Sequence, residues 1–311
     1  MREGESDMIS KALAQDKKTV YTMWKQIFSE DDGGYTDFFF KTYYQSENTL
    51  VMKESGNIVS TLMRIPHDIM LNGQIMRASM ILGVATVPSY RNRGCMHEMM
   101  NDVLDELEHQ ELVTLIQAYN PSMYEQFGFE MVYYRKRYRI HRSQVPKCSN
   151  EGVSYKVDPA DLLDVYTSYV RRFDGFYLRT EQDFRNLIDE VAAEGGKFIA
   201  YYDRNHQIQG YASLVQTARG IEMKECLYLN SVALFKLMNL ALQLKPEICV
   251  HTTKDEHLER LIPDVQVEEY GFTMARINDP ELFNRLNGSQ VHSAKEAFAL
   301  SGKPLFMHEY A

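Results

Sequence analysis

Residues 81–96, ILGVATVPSYRNRGCM, constrain the fold more than any other part of the chain. An apolar run ends in a proline and passes into a basic turn that contains Arg91, Arg93 and Gly94. Residues 97–109, HEMMNDVLDELEH, have helical composition, and their apolar residues recur at helical spacing. The pattern predicts a buried strand, a loop and a helix, in that order.

The predicted loop has the composition of a phosphate-binding site. The N–H groups in the first turn of a helix have no partner within the helix, so they favour an anion. Arg91 and Arg93 would add positive charge, and Gly94 would let a phosphate approach the backbone because no Cβ stands in the way. An ordinary surface turn with two solvated arginines is the alternative that this segment alone allows.

A second pattern follows in residues 111–129. The segment ELVTLIQAY predicts another apolar strand, Asn120-Pro121-Ser122 predicts a helix start, and Tyr124 precedes the sequence FGF. The order strand, Pro, Arg-x-x-Gly, helix resembles motif A of the GNAT acetyltransferases, V-x-P-x-x-[QR]-x-x-G-x-[GA]. The tyrosine-bearing helix that ends in F-G-F resembles the element that follows in that family. Met96 departs from the motif, since a small residue is usual there.

Length and composition set the outer limits. A chain of 311 residues with 44% hydrophobic residues can form two domains. No segment predicts a membrane span, and the start, MREGESDMIS, lacks the apolar core of a signal peptide. A formal charge of -9 argues against a nucleic-acid partner and favours a cationic or amine-bearing substrate.

The cysteines indicate neither a metal site nor a disulfide framework. Cys95, Cys148, Cys226 and Cys249 are widely separated and form no C-x-x-C. No metal is therefore expected, and a reducing cytoplasm is the predicted location. Within the loop, Cys95 is predicted to be a small packing residue, since GNAT transfer is direct and no paired histidine lies nearby.

The fold class predicted is α/β (α+β), with two tandem GNAT-like domains that have mixed central sheets. Helix signals cover residues 10–28, strands are predicted at 49–54 and 59–67, and a terminal hairpin is predicted at 130–142. These elements place the catalytic domain in residues 1–142 and a linker in 143–152.

The second half repeats this plan in degraded form. Helices are predicted at 159–171, 181–193 and 231–243, and strands at 197–202, 210–215, 221–229 and 247–252. Only Asn230-Ser231 separates the third strand from its helix, so this copy lacks the Arg-x-x-Gly loop. Residues 153–272 are predicted to be a degenerate GNAT-like domain, and 273–311 a tail that packs back on the core.

Two such halves resemble the Eis-like (enhanced intracellular survival) branch of GNAT acetyltransferases, without its sterol-carrier-like domain. The resemblance implies acetyl-CoA as cosubstrate, with the backbone of Ala85, Thr86 and Val87 along its pantetheine arm. It implies that the loop residues hold the cofactor's pyrophosphate and that a further residue after the strand ELVTLIQAY also binds the cofactor; these are Arg91, Asn92, Arg93, Gly94, Cys95 and Met96 in the loop, and Asn120. It makes Tyr124 the general acid; local packing of its hydroxyl is the alternative.

The general base has several candidates. In the Eis-like branch the C-terminal carboxylate enters the active site, which would place the carboxylate of Ala311 near the amine. His308, Glu309 and water are the rivals, and the alternative for residues 305–310, LFMHEY, is that they only complete the sheet of the second domain.

Two functions follow. The first is an acetyl-CoA-dependent N-acetyltransferase for an amine-bearing small molecule or peptide, and the second is a non-catalytic acyl-CoA-binding or regulatory module. Met96 favours the second function, and Tyr124 with the intact FGF sequence favours the first. The acceptor and the oligomeric state stay open, and a homo-oligomer is compatible with the sequence.

Overall fold

The computed structural model describes residues 8–29 and 34–309, which divide into two compact units. The first unit takes the chain up to Val132 and then Thr273–Leu300. The second unit takes Tyr133–Phe272 and Ser301–Glu309. Each unit is a mixed β-sheet with helices packed against it, which is the predicted fold class.

The first unit contains the helices and strands around the predicted loop. They are β1 (Met8–Lys11), α1 (Lys17–Ile27), α2 (Tyr35–Thr42), β2 (Thr49–Glu54), β3 (Asn57–Leu71), β4 (Gln74–Thr86), α3 (Cys95–Glu108), β5 (Val113–Ile116) and α4 (Ser122–Glu125).

The chain then enters the second unit along β6 (Glu130–His141). The elements that follow are β7 (Val153–Ser154), α5 (Pro159–Val170), β8 (Phe176–Tyr177), α6 (Glu181–Ala193), β9 (Lys197–Tyr202), β10 (Ile208–Gln216), β11 (Ile221–Met223), β12 (Cys226–Tyr228), α7 (Ser231–Leu244) and β13 (Glu247–Thr253). The last strand, β14 (Gln266–Ile277), ends in the first unit, which also contains α8 (Pro280–Asn287) and α9 (Ala294–Ala299).

The first unit has the strand order β1-β2-β3-β4-β5-β14. Every neighbouring pair is antiparallel except β4 and β5, which are parallel and joined by α3. Successive residues of β2 alternate between two apolar clusters: Leu50 and Met52 pack with α3, and Val51 packs with α1 and α2. Both faces of this sheet are therefore covered by helices, and α3 begins directly after the loop that follows β4.

The second unit repeats this arrangement. Its strands have the order β6-β13-β11-β10-β9-β7, with β12 also paired to β10. Strands β11 and β13 are parallel, and α7 connects this part of the sheet to β13. However, the Asn230 side chain accepts a hydrogen bond from the N–H of Ala233, so the start of α7 is capped by a side chain. The second unit thus has the strand-helix-strand core without an open helix N-terminus.

Several predicted elements are confirmed at their predicted bounds, namely β2, β9 and α6. Two predicted elements differ from the structure in their bounds. Residues 10–28 do not form one helix, because Met8–Lys11 pairs with β2 and α1 begins only at Lys17. Residues 221–229 form two short strands rather than one.

Among the described residues, no helix has the length and apolar character needed to cross a bilayer.

The predicted hairpin at residues 130–142 is wrong, and the predicted domain bounds shift with it. Residues 130–141 form one strand that pairs with β13 along its second-unit part. The segment contains no Gly, Pro, Asn or Asp, the residues that tight hairpin turns need. Residues 133–142 therefore belong to the second unit. Residues 273–277, predicted as part of the tail, pair with β5 in the first.

Candidate active site

The first feature of the site is an opening between β4 and β5. The two strands pair in parallel from Ala78 and Val113 to Ile81 and Ile116, where β5 ends, but β4 continues to Thr86. The last part of β4 therefore has no β5 residues beside it. Because α/β sheets bind ligands outside the carboxyl ends of their parallel strands, this edge is where a ligand is expected.

A bulge in β4 lies at the point where the opening begins. The register between β3 and β4 shifts between Thr61 and Met63, where β4 carries one residue more than β3. Gly83 lies in this segment with a φ of +59°, a left-handed conformation that residues with a Cβ rarely adopt. A Cβ on Gly83 would lie 1.7 Å from Cζ2 of Trp24 on α1. The bulge gives β4 its bend, and the missing side chain lets Trp24 pack on the bend.

The pairing of β3 with β4 decides which β4 backbone groups can meet a ligand. The N–H of Val87 donates to the Val59 carbonyl at 3.0 Å, and the Ala85 carbonyl accepts from the Ser60 hydroxyl at 2.9 Å. Since successive strand residues direct their backbone groups to opposite sides, Thr86 directs its N–H away from β3. Of the three backbone positions predicted from the sequence, Thr86 is the one oriented toward the opening.

The loop ends in an open helix N-terminus. Gly94 is the N-cap of α3 with a φ of +90°, and no side chain caps this helix start. The first N–H groups of α3 are consequently free of a capping side chain and can bind an anion. Asn92 also has a positive φ, of 62°, so the backbone turns sharply on both sides of Arg93.

Both loop arginines are exposed. Nε of Arg91 donates to the Thr86 carbonyl at 3.3 Å, which ties the loop to the end of β4. The Arg93 guanidinium lies over the Tyr90 ring, 4.7 Å from its centroid. Arg91 uses only its Nε in this contact, and Arg93 uses the face of its guanidinium. The remaining N–H groups of both side chains can therefore bind an anion in front of α3.

The first two residues of α3 pack inward. Cys95 is buried, and its thiol donates to the Tyr90 carbonyl at 3.6 Å. Met96 is half-buried against the apolar cluster that also contains Cys95. Met96 is larger than the small residue usual at this position, but its side chain packs against the core. It therefore does not block a ligand from reaching the backbone N–H groups at the start of α3.

Tyr124 lies on α4, the short helix after β5. Its ring packs edge-on against Phe129, with 6.4 Å between the ring centroids. Burial raises the pKa of Tyr124 above its ordinary value of 10.0, so the phenol keeps its proton at neutral pH. Within the described part of the chain, no group hydrogen-bonds the Tyr124 hydroxyl. The proton is thus available to a ligand.

Asn120 supports the start of α4. Its carbonyl accepts from the N–H of Met123 at 3.2 Å, and its side-chain oxygen accepts from the Ser122 hydroxyl at 2.8 Å. Tyr124 follows β5 closely, as Arg91 follows β4. Because adjacent parallel strands end at the same edge of a sheet, the structure brings the basic loop and the tyrosine to one edge of the first unit.

Two of the C-terminal candidates, His308 and Glu309, lie in the second unit. Residues 301–309 are held there by backbone hydrogen bonds between Asp174 and both Pro304 and Phe306. Oε1 of Glu309 accepts from Nε of Arg179 at 2.8 Å, and His308 stacks on Phe306 with 4.4 Å between the ring centroids. Ala311 lies outside the described residues.

His308 is a buried histidine without a hydrogen-bond partner on either ring nitrogen in the described structure. Its nearest carboxylate oxygen, Oε2 of Glu225, is 3.9 Å from Nδ1. Burial, helped by the positive charges of Arg135 and Arg179, holds the pKa of His308 well below its usual value of 6.5. The imidazole is therefore neutral in the folded protein.

This burial predicts a pH-dependent stability. Below pH 6.5 the unfolded chain protonates His308 and the folded protein does not. The stabilisation is therefore present above pH 6.5 and is lost as the pH falls below it, by up to about 1.4 kcal/mol per pH unit. His308→Leu is expected to flatten the dependence of unfolding free energy on pH between 6.5 and 5, measured by urea titration. The exposed-site control His109→Leu should keep the wild-type slope, and an unchanged slope in His308→Leu would contradict the assignment.

Two residues that shape the opening were not predicted as site residues. Gly83 and Trp24 define the bulge, yet Trp24 reads from the sequence as an apolar residue at helical spacing. A glycine inside the apolar run ILGVA was the available signal, because glycine in a strand interior often marks a bulge.

The separated parallel strands, the open helix start and the tyrosine are the features that the resemblance to GNAT acetyltransferases implies for an acyl-CoA site. The family model of the acetyltransferase (GNAT) domain matches residues 8–132, so this part of the first unit is a GNAT-type domain. A comparison with curated protein sequences finds no match.

Solved structures share the fold over most of the chain. A probable N-acyltransferase from Enterococcus faecalis V583 is 18% identical with a TM-score of 0.76, over 88% of this chain and 73% of its own. Eis1 from Mycobacterium abscessus is 16% identical with a TM-score of 0.68, over 89% and 75%. N-myristoyltransferase from Saccharomyces cerevisiae, solved with bound myristoyl-CoA, is 9% identical with a TM-score of 0.60, over 89% and 80%. At these identities the likeness shows the fold.

Proposed function

We propose that the first unit transfers an acetyl group from acetyl-CoA directly to the nitrogen of an amine. The observation that carries this proposal is the opening between β4 and β5, which leads to an uncapped helix N-terminus flanked by Arg91 and Arg93. A long, flexible cosubstrate with an anionic end fits an open strand edge that leads to an anion site. The match to the GNAT domain family supports acyl transfer, and acetyl as the group is our proposal.

In this proposal the loop holds the anionic end of the cosubstrate. The first N–H groups of α3 and the two arginines bind the pyrophosphate, and Gly94 lets it approach the backbone. The N–H of Thr86 pairs with the pantetheine arm as a neighbouring strand would, since Ala85 and Val87 are already engaged with β3. The amide of Asn120 supplies a further donor at the other side of the opening.

Tyr124 serves as the general acid. When the amine attacks the thioester carbonyl, the bond from carbonyl carbon to sulfur breaks and the thiolate needs a proton. A phenol whose pKa lies above 10.0 keeps its proton at neutral pH, so it can donate to the thiolate as negative charge develops there. Direct transfer needs no covalent enzyme intermediate, which agrees with Cys95 packed into the core.

The amine must lose a proton in the same reaction. The Glu309 carboxylate is already paired with Arg179, 2.8 Å from its Nε, and the low pKa of His308 makes that imidazole a weak base. Of the candidates, the Ala311 carboxylate and water are therefore favoured. The acceptor is proposed to be an amine-bearing small molecule or peptide.

The second unit is proposed to have no acyl-CoA site of its own. Only two residues, Leu229 and Asn230, separate its α7 from β12, and the Asn230 side chain caps the helix start. Neither an Arg-x-x-Gly loop nor an open set of N–H groups lies between β12 and α7. One acetyl-CoA is consequently expected per polypeptide.

Replacing Arg91 by alanine tests the binding site. Loss of a charged hydrogen-bonding partner costs about 1.5 to 3 kcal/mol, so acetyl-CoA affinity measured by calorimetry is expected to fall by at least roughly tenfold. Arg77→Ala is the matched control: Arg77 is an exposed arginine on β4, the strand that precedes the loop, and is paired with Asp68. Equal affinities for the wild type and Arg91→Ala would refute the assignment.

The rival function, a non-catalytic acyl-CoA-binding module, was favoured by Met96. Because the Met96 side chain packs against the apolar cluster, it gives this rival little support. Both functions predict cosubstrate binding, so only amine-dependent release of the thiol separates them.

A further inference from the structure

A cluster of potential metal ligands lies on the sheet of the second unit. Glu222 on β11 pairs in parallel register with Cys249 on β13, and His251 follows two residues later on the same face. The candidate ligand atoms of these three residues all lie within 4.8 Å of one another. Cys249 and His251 are buried, whereas the Glu222 side chain is 27% exposed.

We propose that Glu222, Cys249 and His251 bind one divalent zinc ion, with water as the fourth ligand. Thiolate sulfur, imidazole nitrogen and carboxylate oxygen are the ligand types that zinc prefers, and three protein ligands plus water form its open tetrahedral site. The exposed edge at Glu222 gives the ion a path from solvent.

The observed distances fit this geometry after one small movement. Cys249 Sγ lies 3.6 Å from His251 Nε2, close to the separation of about 3.6 Å that two such ligands have around tetrahedral zinc. Glu222 Oε2 lies 2.7 Å from the same nitrogen, whereas a zinc-bound pair requires about 3.4 Å. The ion would thus replace the hydrogen bond between Glu222 and His251, and the partly exposed carboxylate has room to retreat.

Tyr270 provides the outer contact that orients a metal-binding histidine. Its hydroxyl lies 3.0 Å from His251 Nδ1. A hydroxyl can donate to Nδ1 while Nε2 bonds Glu222, and can accept from Nδ1–H once Nε2 binds the metal. The imidazole can therefore change tautomer without turning its ring.

The surrounding charges are compatible with a bound cation. Arg139 and Arg137 pair across the sheet with Cys249 and His251 respectively, and Arg137 also lies 3.5 Å from a Glu268 oxygen. Two anionic ligands, the thiolate and the carboxylate, cancel the charge of a divalent ion, so the loaded site is neutral beside the arginines. Burial raises the pKa of the Cys249 thiol to about 12, so the ion has to displace that proton as it binds.

Cobalt substitution tests this proposal on the full chain. With Co²⁺ alone as the probe, one equivalent is expected to give a thiolate-to-cobalt charge-transfer band that added Zn²⁺ removes. The band should vanish in Cys249→Ser and persist in the control Cys148→Ser, which removes a more accessible thiol. Absence of the band in the wild type, or its persistence in Cys249→Ser, would overturn the proposal.

A milder variant covers the case in which Cys249→Ser does not fold. Glu222 is the most exposed of the three ligands, so Glu222→Gln is expected to fold and to keep the charge-transfer band. Its Zn²⁺ affinity, measured by competition with Co²⁺, should fall at least roughly tenfold, because even outer contacts of a metal site have effects of this size. Unchanged Zn²⁺ affinity in Glu222→Gln would overturn the proposal.

Discussion

Replacing Tyr124 by phenylalanine is expected to lower kcat by roughly ten- to a thousandfold and to leave acetyl-CoA affinity near the wild-type value. The substitution removes only the hydroxyl and keeps the ring packed on Phe129. Since no described residue hydrogen-bonds this hydroxyl, its removal leaves no protein group without a partner. The loss should therefore appear in turnover and not in thermal stability.

Steady-state thiol release, calorimetry and thermal unfolding of the same preparation separate these effects. Tyr155→Phe is a suitable control, because Tyr155 is 49% exposed and lies on the second unit. Full turnover in Tyr124→Phe would assign the proton transfer to water or another residue. A parallel loss of cosubstrate affinity would make Tyr124 a binding residue.

Gly83→Ala is expected to destabilise the first unit by about 2 to 5 kcal/mol. Left-handed backbone costs a residue with a Cβ about 1 to 2 kcal/mol, and inserting atoms into a filled core adds about 1 to 3 kcal/mol. Both apply here, since Gly83 has a φ of +59° and its Cβ would lie 1.7 Å from Trp24. Trp24 is the single tryptophan of the chain, so its fluorescence during urea unfolding reports directly on this unit.

Gly73→Ala separates the two contributions. Gly73 has a φ of +76°, and a Cβ there would meet nothing within 4 Å, so only the conformational cost of about 1 to 2 kcal/mol should appear. If Gly83→Ala proved no more destabilising than Gly73→Ala, the packing of Trp24 on the bulge would be refuted.

Local patterns in the sequence predicted most of the elements, because apolar periodicity and turn residues act over a few positions. The strand, loop and helix from β4 to α3 and the strand and helix that carry Tyr124 all follow from such patterns. The lack of a turn residue in residues 130–142 was a signal that one strand, rather than a hairpin, would form.

Contacts between distant parts of the chain could not be predicted in this way. The pairing of Thr114 with Arg276 in β14 joins segments far apart in sequence, and no local pattern specifies it. The same holds for Gly83 against Trp24, and for Glu222 beside Cys249, which share no short spacing. The sequence thus indicated which residue types form the loop, whereas the contacts between residues distant in sequence could be seen only in the structure.

Amine-dependent thiol release is the measurement that tests the central claim most directly. The full chain is mixed with acetyl-CoA and a panel of primary amines, and free thiol is followed together with the mass of each amine. We predict that at least one amine stimulates thiol release, that it gains one acetyl group, and that Arg91→Ala and Tyr124→Phe both slow this release. Binding of acetyl-CoA without amine-dependent release across the panel would contradict acyl transfer and support the non-catalytic module instead.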